Sequence, residues 1–181
     1  MGNFNCLKQL DTFCHILLCN EVSRRSSINQ GKCFYRVITG TFPKKFQERL
    51  NIDDDNKENL IFVYSHFAPV FGFACGCLGL SLELTDKLFM RMAIRDVISA
   101  AARLNIIGPM DGSYLQAEFG RLIENNYLLN NETIEDVSPN EVIVLGSPIN
   151  FYNDIRPHQT APITDFLQSR QDLLYSRLFN S

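Results

Sequence analysis

The 181-residue chain lacks the short motifs that announce common chemistries. It has no GxxxxGK(S/T) phosphate loop, no GxGxxG behind a strand, no HExxH and no GxSxG nucleophile turn. Histidine is scarce: His15, His66 and His158 are the three present, and they are thinly spread. The six cysteines (Cys6, Cys14, Cys19, Cys33, Cys75 and Cys77) contain no CxxC pair and follow no small secreted framework. Free thiols in a reducing, cytoplasmic setting are therefore expected. No run of 18 apolar residues is present, which excludes a membrane-spanning helix, and no basic-then-apolar leader opens the chain. A surplus of basic residues is also missing. With a net charge of -3, the composition argues against a dedicated nucleic-acid binder, which needs Lys and Arg to neutralise phosphates.

What is there is an ordinary globular composition, 45% apolar and 20% charged, in a length suited to one domain with a core of its own. The charge is unevenly spread. Residues 1–50 hold eight Lys or Arg against three Asp or Glu, whereas residues 111–154 hold one against eight. Such polarity reflects where partners dock more than it reflects fold. The opening MGNFNC falls short of a myristoylation signal, because Cys6 stands where that signal wants Ser or Thr.

Apolar spacing of three and four predicts a single all-α domain over 1–181, a bundle of about six or more helices. A first helix over 6–22 has Leu7, Leu10, Phe13, Leu17 and Leu18 on one face. A second, over 24–38, turns Ile28, Phe34 and Val37 inward. Asp53, Asp54 and Asp55 form a solvated loop without the glycine turn and final Glu of a calcium loop. Residues 60–80, LIFVYSHFAPVFGFACGCLGL, read as a central helix with Pro69 kinking it or sitting in its first turn. There Gly72, Ala74, Gly76 and Gly79 would admit close neighbours. A fourth helix starts from Thr85 as N-cap. It would pack through Phe89, Met90, Ala93, Ile94, Val97, Ala100, Ala101 and Leu104, with Lys87, Arg91, Arg95, Ser99 and Arg103 on the opposite arc. Gly108 as the left-handed stop and Pro109 end it. An antiparallel fifth helix follows over 110–127, with Leu115, Phe119, Leu122 and Ile123 inward. A long loop is expected over 128–159, then a C-terminal helix and tail over 160–181.

Three features are candidates for function. His66 with Cys75 and Cys77 has the ligand types of a soft-metal site, but thiols two apart on a helix point to different faces, and core thiols are the better reading. Arg91, Arg95 and Arg103 form either a solvated helix face or a docking surface. The tail YSRLFNS ends in Leu178 and Phe179, costly to expose unless they fold back or meet a partner. Tyr175, Arg177 and Ser181 belong to the same stretch.

The strings HFAPVFG (66–72), RDVISAAARLNIIGP (95–109) with Gln116, QTAP followed by YSRLFNS (159–181), and NEVSRRSSINQGKCF (20–34) together resemble the urease accessory protein UreF family, above all its plant and fungal members. The resemblance implies an all-α protein that dimerises and catalyses nothing itself. It implies partners as well: the UreD/UreH accessory protein, the GTPase UreG and apo-urease, with nickel delivered to urease by the complex and no cofactor bound directly. Arg91, Arg95, Arg103, Tyr175, Arg177, Leu178, Phe179 and Ser181 are the expected partner-binding residues. His66, Pro69, Ala100, Ala101, Gly108 and Pro109 are expected to serve packing. The alternative is a nickel-carrying metallochaperone using His66 and the cysteines. Two departures accompany the resemblance. The family pattern opens with a further Gly- and Pro-rich segment that is expected to be lacking here, and Gln171 stands where bacterial relatives often have His.

Overall fold

The computed structural model describes residues 5–50, 61–131 and 162–174. Among them are seven α-helices, one 3-10 turn and no strand, so the protein is all-α, as the apolar spacing predicts. The chain divides into two compact units, Met1–Leu78 with Ile143–Ser181, and Gly79–Val142.

The first unit opens with α1 (Asn5–Leu17) and α2 (Glu21–Thr41). The single helix expected over 6–22 is broken, because Asn20 caps α2: its side-chain oxygen accepts the amides of Val22 and Ser23 at 2.9 and 3.3 Å. Arg24 Nε donates to the Leu18 carbonyl at 3.0 Å and closes the end of α1. On α2, Phe34 and Tyr35 join the core, whereas Val37, expected inward, is exposed. A short α3 (Pro43–Leu50) brings Phe46 into the interior.

The apolar run over 60–80 is not one helix. Residues 62–66 leave the helical path, and α4 occupies Phe67–Leu78. Pro69 is its third residue and buried, in the first turn, where a missing N–H costs nothing. Around Ile61, Phe62 and Val70 lie Leu7, Phe34, Tyr35 and Phe73. Edge-to-face pairs link Tyr35 with Phe62, and Phe73 with both Phe62 and Phe46, and each buried ring contributes about 1.5–3 kcal/mol. The glycines of α4 do not admit neighbours as expected. Gly72, Gly76 and Gly79 have open space where a Cβ would be, and Gly79 (φ 79°) instead ends the helix in the left-handed region. The close approach lies elsewhere: a Cβ on Gly31 of α2 would collide with the Ser65 carbonyl oxygen.

The C-terminal part of this unit, α7 (Pro162–Ser169) and a 3-10 turn (Arg170–Leu173), docks on α2 by polar contacts. Asn20 Nδ2 donates to the Asp165 carbonyl at 2.7 Å, Ser23 Oγ to Gln168 Oε1 at 2.7 Å, and Arg25 forms two bonds to the Asp172 carboxylate at 2.8 and 3.2 Å.

The second unit is a helical hairpin of α5 (Leu82–Arg103) and α6 (Pro109–Asn131). Its helices are antiparallel, since Lys87 and Arg91 meet Glu124 while Ile98 meets Gly112. Ser81, rather than Thr85, is the N-cap of α5. The left-handed stop is Asn105 (φ 55°), not Gly108. Amides of Asn105 and Ile106 return to the carbonyls of Ala102 and Ala101 at 3.1 and 3.0 Å, the paired bonds of a Schellman end. Gly108 instead precedes α6, and Pro109 is that helix's first residue. The expected phase of α5 also changes. Ala100 and Ala101 are half-buried, Val97 is 70% exposed, and Met90, Ala93 and Leu104 are exposed too. On α6 the packed line runs through Gly112, Gly120 and Ile123, while Phe119 and Leu122 are exposed. Of the loop expected over 128–159, residues 128–131 are helical, since α6 continues to Asn131, and the remainder lies outside the described residues.

Gly31→Ala should destabilise at the upper end of the roughly 1–3 kcal/mol seen for overpacking, because the obstructing atom is backbone and cannot rotate away. Chemical denaturation checks this, and an unchanged midpoint would refute the close contact.

Candidate docking surfaces and a buried histidine cluster

The arginine face of α5 does not stand uniformly away from its neighbour. Lys87 Nζ reaches Glu83 at 2.6 Å and Glu124 at 2.7 Å. Arg91 binds the other oxygen of Glu124 at 2.9 Å and lies over Gly120, whose carbonyl accepts from it at 3.4 Å. Gly120 is what permits this, since a Cβ there would sit 3.0 Å from Arg91 Nη1. The two cations hold the Glu124 carboxyl below its ordinary value, and Glu124 and Glu83 raise the Lys87 ammonium. Arg95 pairs with its neighbour Asp96 at 3.0 Å and remains exposed. Arg103 is exposed at the last turn of α5, where a cation favours the helix dipole. Arg91 and Arg95 flank a groove of about 470 Å³ with Leu88, Ile94, Gln116 and Ile123. The structure thus brings Arg91 into an ion-pair seam and leaves Arg95 and Arg103 as outward cations.

A second constellation was not legible beforehand. Asp11 of α1 is 0% exposed, and its carboxylate accepts four consecutive backbone amides. Oδ2 takes Val63, Tyr64 and Ser65 at 2.9, 2.6 and 3.0 Å, and Oδ1 takes His66 at 2.8 Å. This holds Ser65 at φ 65°, a conformation that costs a non-glycine residue about 1 kcal/mol or more. His66, also fully buried, has Nδ1 3.1 Å from Ser27 Oγ and Nε2 3.1 Å from His15 Nδ1. His15 stacks on Tyr64 with ring centroids 3.7 Å apart. Burial pushes the His66 pKa down. The Asp11 charge opposes that shift, whereas His15 and Arg24 add to it.

Ser27 and His66 have the reach of a nucleophile and its base, but the arrangement is structural. Ser27 Oγ also accepts the Phe67 amide at 3.3 Å, and the far nitrogen of His66 meets a second imidazole rather than an orienting carboxylate. Both ring nitrogens of His66 are engaged, one by Ser27 and the other by His15. Among the described residues no cluster of three His, Cys, Asp or Glu side chains could hold a metal. Cys14 has its thiol pKa raised by burial and then by Asp11, which disfavours the thiolate a metal needs.

The C-terminal helix α7 shows the reverse of an amphipathic surface helix. Its polar groups meet α2, while its Ile163, Phe166 and Leu167, and Leu173 and Leu174 beyond it, are exposed. Of the other expected partner-binding residues, Tyr175, Arg177, Leu178, Phe179 and Ser181 lie outside the described residues.

The described residues thus make up an all-α protein with an ion-paired hairpin and exposed apolar side chains. The UreF family model matches residues 1–120, and the chain belongs to the UreF family. It is 31% identical over 176 residues to urease accessory protein F of Arabidopsis thaliana, covering 96% of this chain and 63% of that protein. The corresponding rice protein, from the japonica subspecies, is 32% identical over 174 residues, covering 94% and 58%. Urease accessory protein 6 of Cryptococcus neoformans is 28% identical over 204 residues, covering 97% and 63%. The chain thus spans about three-fifths of the length of these relatives. No solved structure matches it.

Glu124→Gln should loosen the hairpin at neutral pH and flatten its acid response. The wild-type carboxyl has a lowered folded pKa, so its contribution is complete above the ordinary glutamate value of 4.5 and disappears as pH falls through the lowered one. Thermal melts of both proteins at pH 7 and in acid check this, and identical pH profiles would refute it.

Proposed function

We propose that the protein is a non-catalytic scaffold of urease maturation. It bridges the UreD/UreH protein and the GTPase UreG on apo-urease in the cytoplasm, works as a homodimer, and promotes the passage of nickel, as cargo, into the urease active site. The observation that carries this reading is family membership over residues 1–120, joined to 94–97% coverage of this chain by the urease accessory proteins compared. The exposed apolar residues of α7 and the outward Arg95 and Arg103 of α5 support it as surfaces that an assembly would cover. The nickel-carrier alternative would have to displace Ser27 or His15 from His66 before a metal could bind there.

Co-purification with the UreD/UreH and UreG proteins of the same organism is the test; no recovery of either by the wild-type chain would overturn the reading. In that assay Arg95→Ala should keep its helical circular dichroism and recover about tenfold less partner, the scale of one charge-assisted pair. Unfolding of the variant would place Arg95 in a structural role instead.

Removing residues 176–181 should leave the fold intact, because α7 is held upstream by Asn20, Ser23 and Arg25, and should abolish recovery of the complex. A melting curve run beside the co-purification separates the two effects. Undiminished binding would count against the tail as a docking element.

A further inference from the structure

Two imidazoles that face each other across 3.1 Å inside a helical protein are restricted in how many protons they hold. His66 Nε2 and His15 Nδ1 share one hydrogen bond, so one nitrogen carries the proton and the other accepts. Ser27 Oγ accepts the Phe67 amide and can donate to His66 Nδ1 or accept from it. With both rings neutral, a proton on His66 Nε2 points at His15 and Ser27 donates to Nδ1. One added proton is accommodated by reversal: His15 Nδ1 then donates to His66 Nε2, and His66 Nδ1 donates to Ser27. A second added proton has no such solution, because both facing nitrogens would then be donors and both rings cationic.

We propose that the His15–His66 pair is a proton-operated latch that joins α1 to the turn opening α4, closed with at most one added proton and released by a second. The geometry supplies what a latch needs. Released, His15 leaves its stack on Tyr64, while the Asp11 cradle still ties α1 to residues 63–66. The half-buried His15 is the side from which protons enter, since His66 is sealed. The groups bearing on the pair are Asp11 and Cys14 from α1, Arg24 and Ser27 from α2, and Tyr64 from the turn. The α4 segment carries Cys75 and Cys77 and no charged residue. Asp11 favours a proton on His66, whereas the facing His15 and Arg24 oppose it. The sign follows. The His66 pKa is lowered in the folded protein, so the unfolded chain takes up the proton first. Stability is complete above the unfolded value near 6.5 and is lost as pH falls below it toward the lowered folded value.

The test uses the full chain carrying His158→Gln, so that His15 and His66 supply the imidazole signals. Side-chain nitrogen resonances followed from about pH 8 to about pH 5 should show one ring taking a proton while the other stays neutral to markedly lower pH. Two independent titrations near the ordinary value would overturn the latch. In parallel, His15→Asn, which cannot become cationic, should melt with a shallower loss of Tm on acidification than the parent. Parallel losses in the two proteins would overturn it as well. The resonance titration needs no variant at either latch position, so it decides the matter even if His15→Asn fails to fold.

Discussion

A single carboxylate, that of Asp11, organises the first unit. Buried without partners it would cost several kcal/mol, and the four amides of residues 63–66 repay that cost with charge-assisted bonds. The consequences spread outward. Gathering those amides bends the chain out of helical geometry, so α4 begins only at Phe67. The bend turns the Ser65 carbonyl toward α2, which can approach because position 31 has no side chain. It also aims the His66 ring between α1 and α2, where Ser27 and His15 meet it. The aromatic core then closes over a turn whose shape is already set.

Much of this architecture was legible in the amino-acid order, and what was not has definable causes. Helical periodicity revealed that α2, α5 and α6 exist, because three- and four-residue spacing survives whatever they pack against. It did not reveal which arc faces a neighbour: Val37 and Val97 sit on apolar arcs yet lie in solvent, while Lys87 and Arg91 sit on a polar arc and meet α6. Asn20 carried a capping signal that the leucines before it masked. Asn105 and Gly108 were both able to adopt the left-handed stop, and the choice rests on which carbonyls remained open at the end of α5. Asp11 was invisible for a different reason. Its partners are backbone amides 52–55 residues away, and backbone has no residue type to recognise. The pairing of His15 with His66 was hidden by its separation of 51 residues alone. By contrast, the blocks that mark the UreF family were plain in the order of residues, because a family pattern needs no knowledge of contacts.

The hairpin and the C-terminal segment share a physical style. Each is secured by polar contacts at partly exposed positions, bonds that individually add little stability but fix alignment. Glu124, shared by Lys87 and Arg91, sets where α6 lies along α5, and Asp172 does the same for the 3-10 turn against Arg25. Apolar side chains meanwhile remain outside on both.

The bonds from Asn20, Ser23 and Arg25 to the C-terminal segment close loops of 145 to 147 residues, and the first unit is interrupted in the chain by the whole of the second. During synthesis the hairpin emerges and can form while its neighbour in sequence still waits for residues not yet made. Loop closure on this scale is slow, and until it is complete the cap of α2 and its two following polar residues lack their distant partners. The ribosome therefore finishes the inserted element before the element that contains it. The interval between those events is when the apolar side chains of the growing protein stand most open to misassociation.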